Sequence, residues 1–279
     1  MERKVSDRKI VEMQWAQEIV AKVFKDAGFS DYTFQLKTQP QKREYCLQYN
    51  ESDFNFVSRL LEQEGIFWFF THKEGKHTLV LADDNSAFPA ISGGKKVKYQ
   101  ATSSGARETG MIRQVELRLQ AIAQGSHPGN DKSEQPKQLI AESDCAALMA
   151  GYWFTLAEHD DKALNIDWLI TAVSHEYDGE RYRNRFTAIP KATPYQPQYA
   201  TPKPFMHTQT ATVVGKNGEE NWTDKLGRVK VQFPWDREGK NDETSSCWLR
   251  VATAWSGNGF GAQFIPRIGQ EVVVSFIDG

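Results

Sequence analysis

Residues 221–240, NWTDKLGRVKVQFPWDREGK, and residues 245–279, SSCWLRVATAWSGNGFGAQFIPRIGQEVVVSFIDG, decide the fold. Apolar and polar residues alternate in short runs with glycines between them, which is the spacing of strands and turns. Val229, Val231 and Phe233 are expected on one face of a strand, with Arg228, Lys230 and Gln232 on the other. Leu249, Val251 and Trp255 are expected on one face of the next strand, and Val272, Val274 and Phe276 on one face of the last. With Thr210–Val214 added, these short strands and glycine corners predict a small, partly open barrel of the OB type. Trp235, Trp255 and Phe264 are its expected core rings, since a buried aromatic removes roughly 150–250 Å² from water. Only Asp278 and Gly279 follow the last apolar run, Glu271–Ile277, so the barrel is expected to lack a closing strand and to offer an open edge.

Working outward, five of the eleven prolines fall between Pro190 and Pro204. Proline removes ladder donors and favours extended backbone, so residues 190–207 are expected to form a semi-rigid linker. It would separate a first domain, 1–189, from the barrel, 208–279. In the first domain Val11, Trp15, Ile19 and Val23 form a helical stripe with Gly28 as its stop. Tyr32, Phe34 and Leu36 alternate as a strand, as do Tyr45, Leu47 and Tyr49. Asn50, Ser52 and Asp53 are capping residues ahead of a helix carrying Phe56, Val57, Leu60 and Leu61, closed by Gly65. Ile66–His72 and His77–Asp83 flank a hairpin turn with Gly75 in it. Val115, Leu117, Leu119 and Ala121 alternate like a strand in an otherwise poor signal, and Ser126–Pro136 reads as a loop. Gly151–Ala157, Ala163–His175 and Tyr182–Ile189 read as strands. The fold class is therefore mainly β with some α.

Composition excludes several functions. Net charge is −2, from 34 basic and 36 acidic residues, so no chain-wide field attracts nucleic acid or an anionic membrane. Apolar runs such as Ile66–Phe70 fall far short of the ~20 residues that cross a bilayer. The N-terminus, MERKVSDRKI, has no signal-peptide core. Cys46, Cys145 and Cys247 are odd in number and far apart, which fits neither a disulfide framework nor a CxxC metal site.

Candidate chemistry is sparse. Gly257-Asn258-Gly259-Phe260-Gly261-Ala262 matches a dinucleotide fingerprint on paper, but its β-like continuation opens no helix to hold a phosphate. His72 and His77 are expected to face each other across the hairpin, and two imidazoles without a third ligand make a weak metal site. Glu62 and Glu64 point apart on their helix and read as a solvated face. Asp83-Asp84-Asn85 resembles part of a calcium loop but lacks its glycine and closing glutamate, and reads as a hairpin exit. No catalytic residue, cofactor or metal site is expected. A single-strand nucleic-acid binder is the alternative for an OB barrel, but eight Lys/Arg against nine Asp/Glu from Thr208 onward is the wrong balance.

The residues then match something specific. Asn50-Glu51-Ser52-Asp53-Phe54, Ser58-Arg59-Leu60-Leu61-Glu62, Glu64-Gly65-Ile66 and Leu79-Val80-Leu81-Ala82-Asp83 resemble the hub of VgrG, the spike protein family of type VI secretion systems. So do Tyr182–Pro190, Thr201-Pro202-Lys203-Pro204, Gly227–Phe233 and Gly261–Val272. The resemblance implies a structural protein similar in fold to phage tail hubs. It implies a homotrimer whose hub docks on the Hcp tube, with baseplate components and effectors as partners. Such a protein is cytoplasmic before firing and leaves without a signal peptide. Against that family the chain is expected to begin after the first hub strands and to stop before the β-needle, making a PAAR tip an unexpected partner. The region around Arg107–Gln138 is expected to be shortened.

Overall fold

The structure, a computed structural model, describes residues 5–10, 14–39, 42–43, 46–101, 108–119, 137–236, 239–258 and 260–276, without the side chains of 5–10, 119 and 256. The first elements are β1 (Val5–Ile10), α1 (Ala16–Asp26), β2 (Tyr32–Gln35), β3 (Cys46–Ser52), α2 (Asp53–Gln63), β4 (Phe67–Lys73) and β5 (Lys76–Ala82). Then come β6 (Lys96–Lys98), β7 (Ile112–Leu119), β8 (Lys137–Ser143), β9 (Trp153–Ala157), β10 (Asp167–Tyr177) and β11 (Tyr182–Pro190). The last are β12 (Gln209–Val214), β13 (Lys230–Gln232), β14 (Ser256–Gly257), β15 (Phe260–Gly261) and β16 (Glu271–Val274). Two compact units result, each from separate stretches: Met1–Ala27, Pro40–Leu60 and Thr201–Gly279 in one, Gly28–Gln39 and Leu61–Ala200 in the other.

In the second unit the β10–β11 hairpin is the spine. Asp178 sets its turn by accepting the amides of Glu180 and Arg181 at 3.0 and 2.8 Å, beside Gly179 at φ 95°. A sheet spreads from it in the order β6-β9-β10-β11-β8-β7. Phe154, Trp168, Phe186, Leu139 and Ile112 fill its core, and the Trp168 indole N–H donates to the Leu164 carbonyl at 2.9 Å. The run Ala163–His175 is not one strand: residues 162–164 form a 3-10 turn, and β10 starts at Asp167. Val115 and Leu117 do lie on a strand, β7, whereas Ala121 and the expected loop Ser126–Pro136 lie outside the described residues.

The β4–β5 hairpin forms as expected, with His72 opposite His77 and Lys73 opposite Lys76, and β2 adds parallel to β5. Alternation sends Phe67 and Phe69 into a cluster with Phe88, Leu169 and Ile189. Gly151 meets this cluster so closely that a Cβ there would sit 2.4 Å from the Phe69 Cβ, and its φ is 81°. Gly151→Ala is expected to cost about 2–5 kcal/mol through left-handed strain and overpacking together. Thermal melting checks this, and an unchanged melting temperature would show that neither effect operates.

In the first unit α1 buries Ala16, Ile19, Val20, Val23 and Phe24. The Glu18 carboxylate accepts the Trp15 amide at 3.2 Å, and Gly28 follows the helix at φ 75°. The expected stripe is thus present from Trp15; Val11 lies outside the described residues. The charged N-terminus carried no strand signal, yet β1 pairs antiparallel with β3. β3 runs straight into α2, where the Ser52 hydroxyl accepts the Asn55 amide at 3.2 Å as a cap.

The C-terminal stretch of this unit is an OB-type half-barrel. β12 lies between β13 and β16, and Ala211, Val213, Val229, Val231 and Phe233 make the core. Trp235, Leu249, Val251, Val272, Val274 and Phe276 pack against it, partly buried. Leu249 joins the sheet through an isolated bridge to Val229 rather than as part of a full strand. Lys230 and Gln232, expected on the face opposite Val231, are also buried. The Lys230 ammonium lies 5.1 Å from the Trp248 ring centroid, and the Gln232 amide donates to the Asp236 carbonyl at 2.8 Å.

Candidate assembly surface

Trp255 and Phe264, two of the three rings expected in the barrel core, are on the outside: Trp255 is 67% exposed and Phe264 82%. Only Trp235 joins the core. The cause is the β14–β15 hairpin, which turns the chain away from the barrel before the apolar run is complete. The Ala262 amide closes it on the Trp255 carbonyl at 3.0 Å, and the Trp255 and Phe260 rings stand 5.2 Å apart. A Cβ on Gly257 would lie 2.3 Å from the tip of the exposed Phe260 ring, which would have to shift to admit it. Among the described residues no helix follows, so the glycine-rich run reads as a strand connector and not a phosphate cradle.

The turn Asp224–Arg228 flanks this arm. The Asp224 carboxylate accepts the Leu226 and Arg228 amides, both at 2.9 Å, and the Arg228 guanidinium at 2.7 Å. Burial works to raise the Asp224 carboxyl, but these donors outweigh it and hold it below the usual carboxylate range. Gly227 takes φ 69°, and a Cβ on it would meet the Gln263 amide at 2.3 Å. The turn thus holds Leu226 outward beside the arm.

Between arm and sheet lies an open groove of about 1150 Å³, floored by Val229, Val231, Leu249 and Val251 and walled by Phe264, Val272 and Val274. Val273 on β16 is exposed as well. Leu226, Trp255, Phe260, Phe264 and Val273 make a larger apolar display than a solitary module usually keeps in water. Of the nearby arginines, Arg228 pairs with Asp224 and Arg267 with Glu220, while Arg250 also lines the groove. The surface therefore fits an apolar partner better than a phosphate backbone.

The remaining candidates resolve individually. His72 and His77 face each other with ring centroids 6.4 Å apart, and among the described residues no group of three possible ligands could hold a metal. Asp83 accepts the Lys37 and Thr38 amides at 2.8 and 2.7 Å. Asp84 accepts the Lys37 ammonium at 2.6 Å and the Ser86 amide at 2.9 Å, which hold its carboxyl far below the usual range. These carboxylates are hairpin-exit caps, as expected. Glu62 is not simply solvated, because it accepts the Ala200 amide at 3.1 Å. The three cysteines are free thiols; Cys46 is buried, and that burial pushes its thiol up. No helix among the described residues is long and apolar enough to cross a membrane.

Comparison with known proteins fits this picture. The profile of the phage tail baseplate hub (GPD) family matches residues 1–140 and 133–180. That of the type VI secretion system/phage-baseplate injector OB domain matches residues 209–279. The type VI secretion system spike protein VgrG4b of Pseudomonas aeruginosa is 33% identical, over 98% of this chain and 43% of its own length. The actin cross-linking toxin VgrG1 of Vibrio cholerae is 32% identical, over 97% of this chain and 30% of its own. The chain spans about half the length of the first curated relatives it matches, 43% and 46%. The alignment to VgrG4b runs over 347 positions, more than the 279 of this chain, so that relative carries residues inside the matched span that are absent here. Among solved structures, the E. coli c3393 protein is described as a type VI secretion component similar to the T4 tail proteins gp27 and gp5. It superposes with a TM-score of 0.72 at 22% identity, covering 99% of this chain and 71% of that one, which establishes the shared fold.

Proposed function

The chain belongs to the type VI secretion spike (VgrG) family, and from that premise we propose that it is a trimeric hub-and-spike component acting by assembly and force transmission. The observation that carries this reading is the exposed apolar arm and open groove of the half-barrel, which a neighbouring copy would cover. In this reading residues 1–189 form the hub part, 190–207 the connection and 208–279 the spike's OB part. The two family profiles support that division by ending at residue 180 and resuming at 209.

The assembled hub would cap the Hcp tube, help breach a target envelope and deliver effectors, leaving the cell through the type VI machinery. This part of the protein would break no bonds and bind no nucleic acid. Sedimentation equilibrium from micromolar concentrations upward is the test, with a mass three times that of the chain expected. A monomer at every concentration would remove the trimeric reading while leaving family membership intact.

A further inference from the structure

The proline-rich stretch is not uniform. Its first half lies along the second unit, held by several independent contacts. The Asn85 side chain alone makes three: its amide donates to the carbonyls of Lys191 and Thr193 at 2.9 and 2.7 Å, and its oxygen accepts the Tyr195 amide at 2.8 Å. That uses both amide hydrogens of one side chain on one strand of backbone, a match no other residue type of this length provides. The Lys191 ammonium sits 3.4 Å from the Trp153 ring centroid. Tyr195 packs edge-on against Phe67 and Phe88, with centroids at 5.3 and 6.1 Å. Further on, the Gln63 amide donates to the Tyr199 hydroxyl at 2.9 Å, and the Ala200 amide donates to Glu62.

From Pro202 the character changes. Residues 202–208 enter no helix or strand, and Phe205 is 68% exposed, its ring packed on His207 at 4.9 Å. Proline keeps this stretch extended but supplies no donors to hold it.

We propose that the connection is two devices in series: a clasped strap, residues 191–200, that moves as part of the hub sheet, and a short yielding joint that begins at Pro202. Asn85 is the positioning residue of the clasp. A pull arriving from the C-terminal side is then taken up along residues 191–200 by hydrogen bonds in parallel, before it reaches the end of β11. This does not depend on trimer formation or on the spike reading.

Hydrogen exchange followed by mass spectrometry tests it on the full chain, comparing wild type with Asn85→Ala and Asn85→Asp. In the wild type, peptides from 191–200 are expected to exchange slowly and those from 202–208 at once. Asn85→Ala removes all three bonds, and Asn85→Asp removes both donors and sets a carboxylate against two carbonyls. Each is expected to speed exchange in 191–200 by about tenfold or more. Peptides from β9 and β10 should stay as in the wild type, which separates release of the strap from loss of the fold. Equal exchange of 191–200 and 202–208 in the wild type would overturn the proposal without any variant. So would variants that exchange like the wild type, or a strap that loosens only together with β9 and β10.

Discussion

Phe264→Asp is expected to yield a folded monomer where the wild type gives a trimer. The ring is 82% exposed, so its loss opens no cavity within the chain. Buried by a neighbour, a phenylalanine removes roughly 150–250 Å², about 4–6 kcal/mol by area, while alanine scans of anchoring aromatics return about 2–4 kcal/mol. Aspartate adds the cost of an unpaired charge in the same place. Together these predict a dissociation constant raised about a thousandfold. Phe205→Asp is the control, since that ring is also exposed but lies off the arm. Sedimentation equilibrium reads the mass and circular dichroism the fold. Assembly of Phe264→Asp at wild-type concentrations would show that the arm is not the contact.

Arg59→Ala should cause a large loss of stability. Arg59 and Glu51 are both buried, where an ion pair survives only if its remaining donors are satisfied. The Arg59 Nε reaches both Glu51 oxygens at 3.0 and 2.8 Å, and Nη2 donates to the Leu47 carbonyl at 2.7 Å. The Gln48 amide, also buried, binds the Glu51 carbonyl at 3.1 Å and the Asp53 carboxylate at 2.9 Å. Alanine at position 59 strands the Glu51 charge at the corner between β3 and α2, at a cost of about 3–5 kcal/mol. In a chain of this size that lowers the melting temperature by about 10 °C. Arg59→Met combined with Glu51→Leu should recover most of it, because no charge is then left unpaired. A melting temperature for Arg59→Ala within a degree or two of the wild type would refute this account of the corner.

Sequence spacing revealed much of this architecture because local rules agreed with the final environment. Ser52 before Phe56, Val57 and Leu60 reads as a cap followed by an apolar face, and α2 has both. The Glu74-Gly75 turn set the β4–β5 register, down to the His72–His77 pair. β1 was invisible because VSDRKI has no apolar alternation, its pairing with β3 being fixed by distant contacts. Trp255 and Phe264 were misplaced for a related reason. Hydrophobicity says that a ring needs cover, not whose cover, and a hairpin two residues per strand long sends both outward. Arg59 and Glu51 carried no legible signal as a pair. Eight positions apart across a strand–helix junction, they are brought together only by the fold.

The first unit is stitched from three stretches, with Leu61–Ala200 intervening before the last of them. Tyr49 shows the stitch: its hydroxyl accepts the Gln209 amide at 2.8 Å, and its ring lies 5.6 Å from that of Trp235. On the ribosome, Tyr49 must therefore wait while 160 residues are made, about eight to thirty seconds at ordinary rates of synthesis. Through that interval the Tyr49 ring is translated but lacks the cover that Trp235 gives it. A nascent chain with that exposure is a natural client for chaperones that bind apolar segments, and slow codons late in the message would lengthen its risk.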